Sequence, residues 1–273
     1  AGWHSHEMLF GYAAAVIAGF LLKAVRNWTG LDTPAGLPLA GLALLWLAGR
    51  VAALLPLPGW TIAAVDFAFL PLVAVALYPA LMQGKNRVNR LFLPLLAAMA
   101  VANGLVHLQA LGLTTDTASR GTLVLLDLVL LLVLVVTARV VAFFTERGVA
   151  GSTPRNREWL EQLGFAAAIA LALADLAAAP ATIVGALCVA LAVQTIAREV
   201  GWHDRRVWRN PVLWVLHAAV LWLAVGFAMR AAAAFGLVGP NVALHALTVG
   251  GIGILTLGMM SRVTLGHTGR DMR

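Results

Sequence analysis

Apolar residues run through this chain in long blocks with almost no alternation, and short charged or Pro/Gly-rich breaks separate them. Nine blocks stand out: His6 to Trp28, Leu37 to Leu55, Trp60 to Gln83, Leu91 to Leu111, Gly121 to Phe144, Trp159 to Ala179, Thr182 to Gly201, Pro211 to Gly236 and Pro240 to Leu265. Each approaches the about 20 residues that a helix needs to cross the hydrocarbon core of a bilayer. The blocks are too long and too uniform for barrel strands, and in lipid a segment has to satisfy its own backbone polar groups, which leaves helices. The pattern predicts an all-α polytopic membrane helix bundle of nine spans, a single transmembrane helical domain over residues 1–273. Short connections such as Pro56 to Gly59 and the break at Pro180 predict antiparallel packing of sequence neighbours.

Composition agrees and excludes an ordinary soluble enzyme: 61% of residues are hydrophobic, 11% are charged and the mean hydropathy is +0.89, whereas a soluble surface needs far more charge. The formal charge of +7 would suggest nucleic acid in a soluble chain. Here the basic residues sit between apolar blocks, so the lipid bilayer is the expected partner and nucleic acid is not. Threading the nine spans places sixteen of the nineteen Lys and Arg on one side and leaves Arg50, Arg120 and Arg230 on the other. By the positive-inside rule the basic side is cytoplasmic, with Ala1 on the periplasmic or extracellular side and the C-terminal end in the cytoplasm. Trp3, Trp28, Trp60, Trp159, Trp202 and Trp208 fall near span ends, where an interfacial aromatic belt is expected. The one cysteine, Cys188, excludes a disulfide framework and a cysteine-based metal site. The chain enters its first span within a few residues of Ala1, with no initiator methionine or leader pattern, and so reads as a piece of a longer protein.

Against this background the polar residues inside the spans are expensive and mark function. Of seven histidines, the threading puts His4, His6, His107 and His245 toward the outer face and His203, His217 and His267 toward the cytoplasm. The segment Trp3-His4-Ser5-His6-Glu7-Met8 is the densest feature. On a regular helix, turning about 100° per residue, His4 and His6 point almost oppositely while His4, Glu7 and Met8 share a face, so the two histidines face different partners. Neutral imidazole suits copper, zinc and haem iron. Asp66, Asp127 and Asp175 lie at a depth similar to Arg50 and Arg230, where opposite charges are expected to pair. The same groups, with Glu7, are also candidates for partners of ligating histidines or for a proton path. Asn103 precedes His107 by one helical turn and is placed to orient its ring. Gly11, Ala15 and Gly19 form a small-residue seam, and Ala246, Gly250, Gly253 and Gly258 form a looser one. Met259 and Met260 are soft copper donors or plain packing. Nucleotide loops and nucleophile elbows are absent.

Two stretches carry a family resemblance: WHSHEMLFGYAAAVIAGFLLKAVRNWTG over Trp3 to Gly30, and ALHALTVGGIGILTLGMMSRVTLGHTGR over Ala243 to Arg270. Both resemble the NnrS family of polytopic bacterial inner-membrane proteins, associated with haem and copper and with the response to nitric oxide. The patches Asn103 to Leu108, Arg139 to Thr145 and Asn210 to His217 resemble it too. The resemblance implies that His4, His6, His107, His217, His245 and His267 include the ligands of haem b and copper, without assigning either; the four that the threading puts toward the outer face, His4, His6, His107 and His245, are the candidate metal-binding set. His203 has no counterpart in that pattern. Lys23 and Arg26 depart from a motif that usually reads like LLTAVPNWTG, and both can snorkel to the interface. The family has about twelve spans, one before the first motif and two after the last, so nine spans here imply truncation at both ends.

The leading expectation is therefore a bacterial inner-membrane haem and copper protein that acts in nitric oxide metabolism or resistance to nitrosative stress, with nitric oxide as its small ligand. Whether it turns over, as a haem-copper oxidoreductase would, is left open by the residues. The alternatives are a transporter or channel for metal ions or protons that uses the intramembrane His and Asp residues, and a haem-binding sensor or assembly factor.

Overall fold

The computed structural model describes residues 2–269, except that the side chain of His267 lies outside the described residues. So do Arg270 and Arg273, which entered the charge threading. Among the described residues the structure is helical and without strands. The helices are α1 (Gly2–Thr29), α2 (Leu37–Ala52), α3 (Gly59–Gln83), α4 (Arg87–Ala110), α5 (Thr117–Gly148), α6 (Glu158–Leu176), α7 (Ala181–Trp202), α8 (Pro211–Ala234) and α9 (Pro240–Gly266). Eight are long and apolar enough to cross a membrane, which makes the chain a multi-pass membrane protein. The exception is α2, whose 16 residues rise about 24 Å, short of a hydrocarbon core. The predicted span Leu37 to Leu55 thus overshoots: α2 ends at Ala52, and a turn leads into Pro56.

Local chemistry sets the ends. Gly30 closes α1 in the left-handed region at φ 70°, where glycine is uniquely at ease. Pro38 and Pro211 sit in the first turns of α2 and α8, where no intrahelical N–H is lost. The Asn210 side chain accepts from the Val212 N–H and caps α8. α5 outruns its predicted apolar block at both ends, because it continues through Glu146 and Arg147 to Gly148. Apolarity ends at the lipid boundary, whereas helix propensity does not.

Two helices are not regular. Glu7–Ala13 in α1 and Ala246–Gly253 in α9 are π-helical, each beginning immediately after a histidine, His6 or His245. The wider turn re-phases the faces. A regular register from Gly11 runs through Ala15 to Gly19, yet Gly19 is exposed with nothing within 4 Å of a Cβ placed there, and Ala14 and Ala18 are buried instead. The α9 seam fares better: Gly250 and Gly251 lie directly against Trp222 and Leu223 of α8, and Gly258 against Val215.

The chain divides into two compact units, Ala1–Val129 and Leu130–Arg273. In the first, α3 packs against α1, α2 and α4. In the second, α6, α7, α8 and α9 pack in sequence. Its polar loops are pinned by a small core in which Val207, from the turn Arg205–Arg209, meets Val149 and Leu213. Outside the spans, Asp204 caps that turn and pairs with Arg206, whose side-chain hydrogen bonds hold the Asp204 carboxyl well below the usual carboxylate range. The aromatic belt needs one correction. Trp3, Trp60, Trp159 and Trp208 are exposed, but Trp202 is 1% exposed, with Arg198 over its ring and its indole N–H donated to Asn156 Oδ1.

Candidate metal centre

Asp66 on α3, at 6% exposure, is the hub of the first unit, and α1, α2 and α4 each bring a side chain to that carboxylate. Gly49 on α2 makes the approach possible, because a Cβ there would lie 3.3 Å from the Asp66 Cα. The next residue, Arg50, donates from Nη2 to Asp66 Oδ1. Its Nε lies 2.8 Å from Glu7 Oε2, so the guanidinium bridges α3 and α1. Gly11, one turn along from Glu7, leaves room for that bridge: a Cβ there would sit 3.0 Å from Glu7 Oε2 and 3.1 Å from Arg50 Nη1. Trp46 Nε1 donates to the Gly11 carbonyl at 2.9 Å, giving a carbonyl of the π segment an additional donor from α2.

The second oxygen of Asp66 gathers the nitrogens. His107 Nε2 lies 2.8 Å from Oδ2, His6 Nε2 3.3 Å, and the Asn103 amide donates to it at 2.9 Å. Asn103 and His107 share a face of α4, as their spacing predicts, but the Asn103 carbonyl oxygen faces His6 Nε2 at 3.2 Å and not the His107 ring. Asn103 therefore positions His6 and Asp66. His6 Nδ1 lies 3.3 Å from Glu7 Oε1, and the His6 ring stacks on Phe10 at 4.9 Å. The two imidazoles are 5.5 Å apart between centroids. Two carboxylates face one guanidinium in this partly enclosed site, an arrangement that electrostatically favours a cation beside the imidazoles.

The ligand atoms of His6, Asp66 and His107 lie within 4.8 Å of one another. Two imidazole nitrogens and a carboxylate oxygen converging this closely form a donor set for a single transition-metal ion. The same convergence leaves no space for a macrocycle between the rings, so this set fits a single ion and not a haem.

The remaining candidates lie elsewhere. His4 is exposed on α1. His245, in the second unit, is exposed, and its Nδ1 lies 2.7 Å from the Asn241 carbonyl oxygen. That hydrogen bond fixes the proton on Nδ1 and leaves Nε2 outward with a lone pair. His217 is fully buried between Glu199 and Thr145, with His203 beside it. Asp175 pairs with Arg230, as expected from their depth, and Asp127 is buried at 1% exposure. Three polar groups in the second unit were not legible from the sequence: Glu199, Thr145, and Arg198, which binds Glu161 and the Leu134 carbonyl. Glu199 stands one turn before His203, a spacing that would have revealed the pair.

Comparison with known proteins adds one finding. A family model described as NnrS protein matches residues 1–273. No curated protein and no solved structure matches the chain.

Proposed function

The chain belongs to the NnrS family along its whole length, and from that premise we propose that it is a bacterial inner-membrane haem and copper protein acting in nitric oxide metabolism or resistance to nitrosative stress. The observation that carries this reading is the convergence of His6 Nε2 and His107 Nε2 on Asp66 Oδ2, which joins two of the six histidines in the family pattern. In the proposal, copper takes His6, His107 and Asp66. Haem b would take a histidine outside that cluster, and His245, whose Nδ1 donates to the Asn241 carbonyl, would offer its other ring nitrogen to the iron. A haem held there would supply binding of nitric oxide.

The protein's own groups handle charge and protons around the copper set. Arg50 pairs with both Glu7 and Asp66. Glu7, at 20% side-chain exposure, is the end of the network nearest solvent. A proton arriving at Glu7 Oε1 has His6 Nδ1 next in line, and Asn103 and Asp66 hold the opposite ring nitrogen. The proposed orientation, first residue periplasmic and C-terminal end cytoplasmic, follows the charge threading over all nine segments and requires the short α2 to cross as well, with local thinning of the bilayer.

Optical spectra and metal analysis of the purified full-length protein, with and without nitric oxide, test the reading. A haem absorption that shifts with nitric oxide, together with bound copper, is expected. A preparation containing neither haem nor copper overturns it.

A transport reading draws on the two π-helical interruptions, one in each unit and each next to a histidine, since broken helices form ion sites in transporters. Metal uptake into proteoliposomes by the haem-free protein would favour it.

A further inference from the structure

A second cluster of donor groups lies in the unit Leu130–Arg273, and two of its three members stand outside the family's histidine pattern. Glu199 stands near the C-terminal end of α7, His203 follows that helix directly as its C-cap four residues on, and α8 sets His217 against them. Glu199 Oε1 lies 2.7 Å from His217 Nδ1 and 3.7 Å from His203 Nδ1. The two imidazoles are almost perpendicular, with centroids 6.1 Å apart.

Three observations bear on what this cluster holds. First, Glu199 is 5% exposed, and its Oε2 is buried without a hydrogen-bond partner among the described residues. A carboxylate oxygen left so in a spanning helix is costly unless a cation meets it. Second, Thr145 determines the form of His217. The Thr145 hydroxyl donates to the Val141 carbonyl at 2.8 Å, and its oxygen lies 2.9 Å from His217 Nε2. With its one proton on Val141, Thr145 accepts from the Nε2–H. The other ring nitrogen, Nδ1, faces Glu199 Oε1 at 2.7 Å and is the one available to an ion. A ligating histidine held by a partner on its other nitrogen is the usual arrangement at metal sites. Third, the His203 side chain is 34% exposed while Glu199 and His217 are buried, so the cluster has a way in.

We propose that Glu199, His203 and His217 bind one divalent transition-metal ion, with Thr145 holding the His217 ring. Bonds of about 2.0–2.2 Å in a tetrahedral site place neighbouring ligand atoms about 3.3–3.6 Å apart. The His203–Glu199 pair, at 3.7 Å, is close to that spacing, and the His217–Glu199 pair, at 2.7 Å, opens by less than about 1 Å to admit the ion. Two imidazoles and one carboxylate select zinc, cobalt or copper over magnesium and calcium. The inference does not rest on the haem and copper reading, because Glu199 and His203 take no part in it and the site lies in the other unit.

The test strips the full-length protein of metal with a chelator and titrates it with Co2+, following visible ligand-field absorption and bound metal in the parent, His203→Ala, Glu199→Gln and a His6→Ala, His107→Ala double variant. His203→Ala, at a partly exposed position, keeps the test open should the buried Glu199→Gln fail to fold. The expected result is that His203→Ala and Glu199→Gln each lose one equivalent of Co2+, or bind it about ten-fold more weakly or worse, while the double variant retains it. Equal Co2+ binding by the parent and His203→Ala overturns the proposal and leaves Glu199, His217 and Thr145 as a proton-sharing chain. Loss of this Co2+ in the double variant alone overturns it too, by assigning the ion to Asp66.

Discussion

Arg50 and Asp66 form an ion pair inside a spanning unit, and the same guanidinium holds Glu7, so three helices depend on one partly buried positive charge. The second unit repeats the device between Arg230 and Asp175, each side chain 7% exposed. Removing one partner of a buried pair costs about 3–5 kcal/mol, whereas replacing both with apolar residues is close to neutral. Asp175→Asn is therefore expected to lower thermal stability in detergent strongly, and Asp175→Leu combined with Arg230→Met to recover most of it. A double variant as unstable as the single one would show that the pair serves more than charge balance.

Asn103 contacts both His6 and Asp66. Groups that orient metal ligands are worth about 10–100-fold in affinity. Asn103→Leu should weaken Cu2+ binding by about that factor and leave binding at Glu199 unchanged. Competition against a chelator of known affinity measures both.

The π segments divide the glycines into two kinds. A Cβ at Gly251 would meet Leu223 Cδ2 at 2.4 Å, whereas one at Gly19 meets nothing within 4 Å. Gly251→Ala is expected to destabilise by about 1–3 kcal/mol through overpacking. Gly19→Ala should be neutral or slightly stabilising, since alanine is the better helix former. Thermal melts of the two variants distinguish these outcomes.

Outside the spans, Asp204 has its carboxyl held low by Arg206. A depressed carboxyl contributes stability above its unfolded value, and that contribution is lost as pH falls through the folded one. The melting-temperature difference between the parent and Asp204→Asn should thus stay constant from neutral pH to about pH 5 and shrink only below the ordinary carboxylate range, about pH 4. A difference that already collapses near pH 6 would contradict the pairing.

The fold was legible because lipid permits few solutions. Nine apolar blocks became helices, and depth alone predicted pairing of Arg50 and Arg230 with acids among Asp66, Asp127 and Asp175, without saying which. The site was legible only in parts. His6 and His107 carried the right chemistry, but their meeting at Asp66 depends on the π turn after His6 and on the close approach at Gly49, neither of which periodicity encodes. Regular helical spacing also set His4 beside Glu7 and Met8, and the π segment begins at Glu7 itself. Glu199 escaped notice because it follows Arg198 near a span end, where an acid reads as ordinary interfacial charge.

The most direct test of the central claim is electron paramagnetic resonance of the full-length protein carrying one equivalent of Cu2+, in a His203→Ala background that disables the second cluster. Nitrogen couplings from two imidazoles are expected, falling to one in His6→Ala and likewise in His107→Ala. A spectrum unchanged by both substitutions would contradict a metal centre at His6, Asp66 and His107.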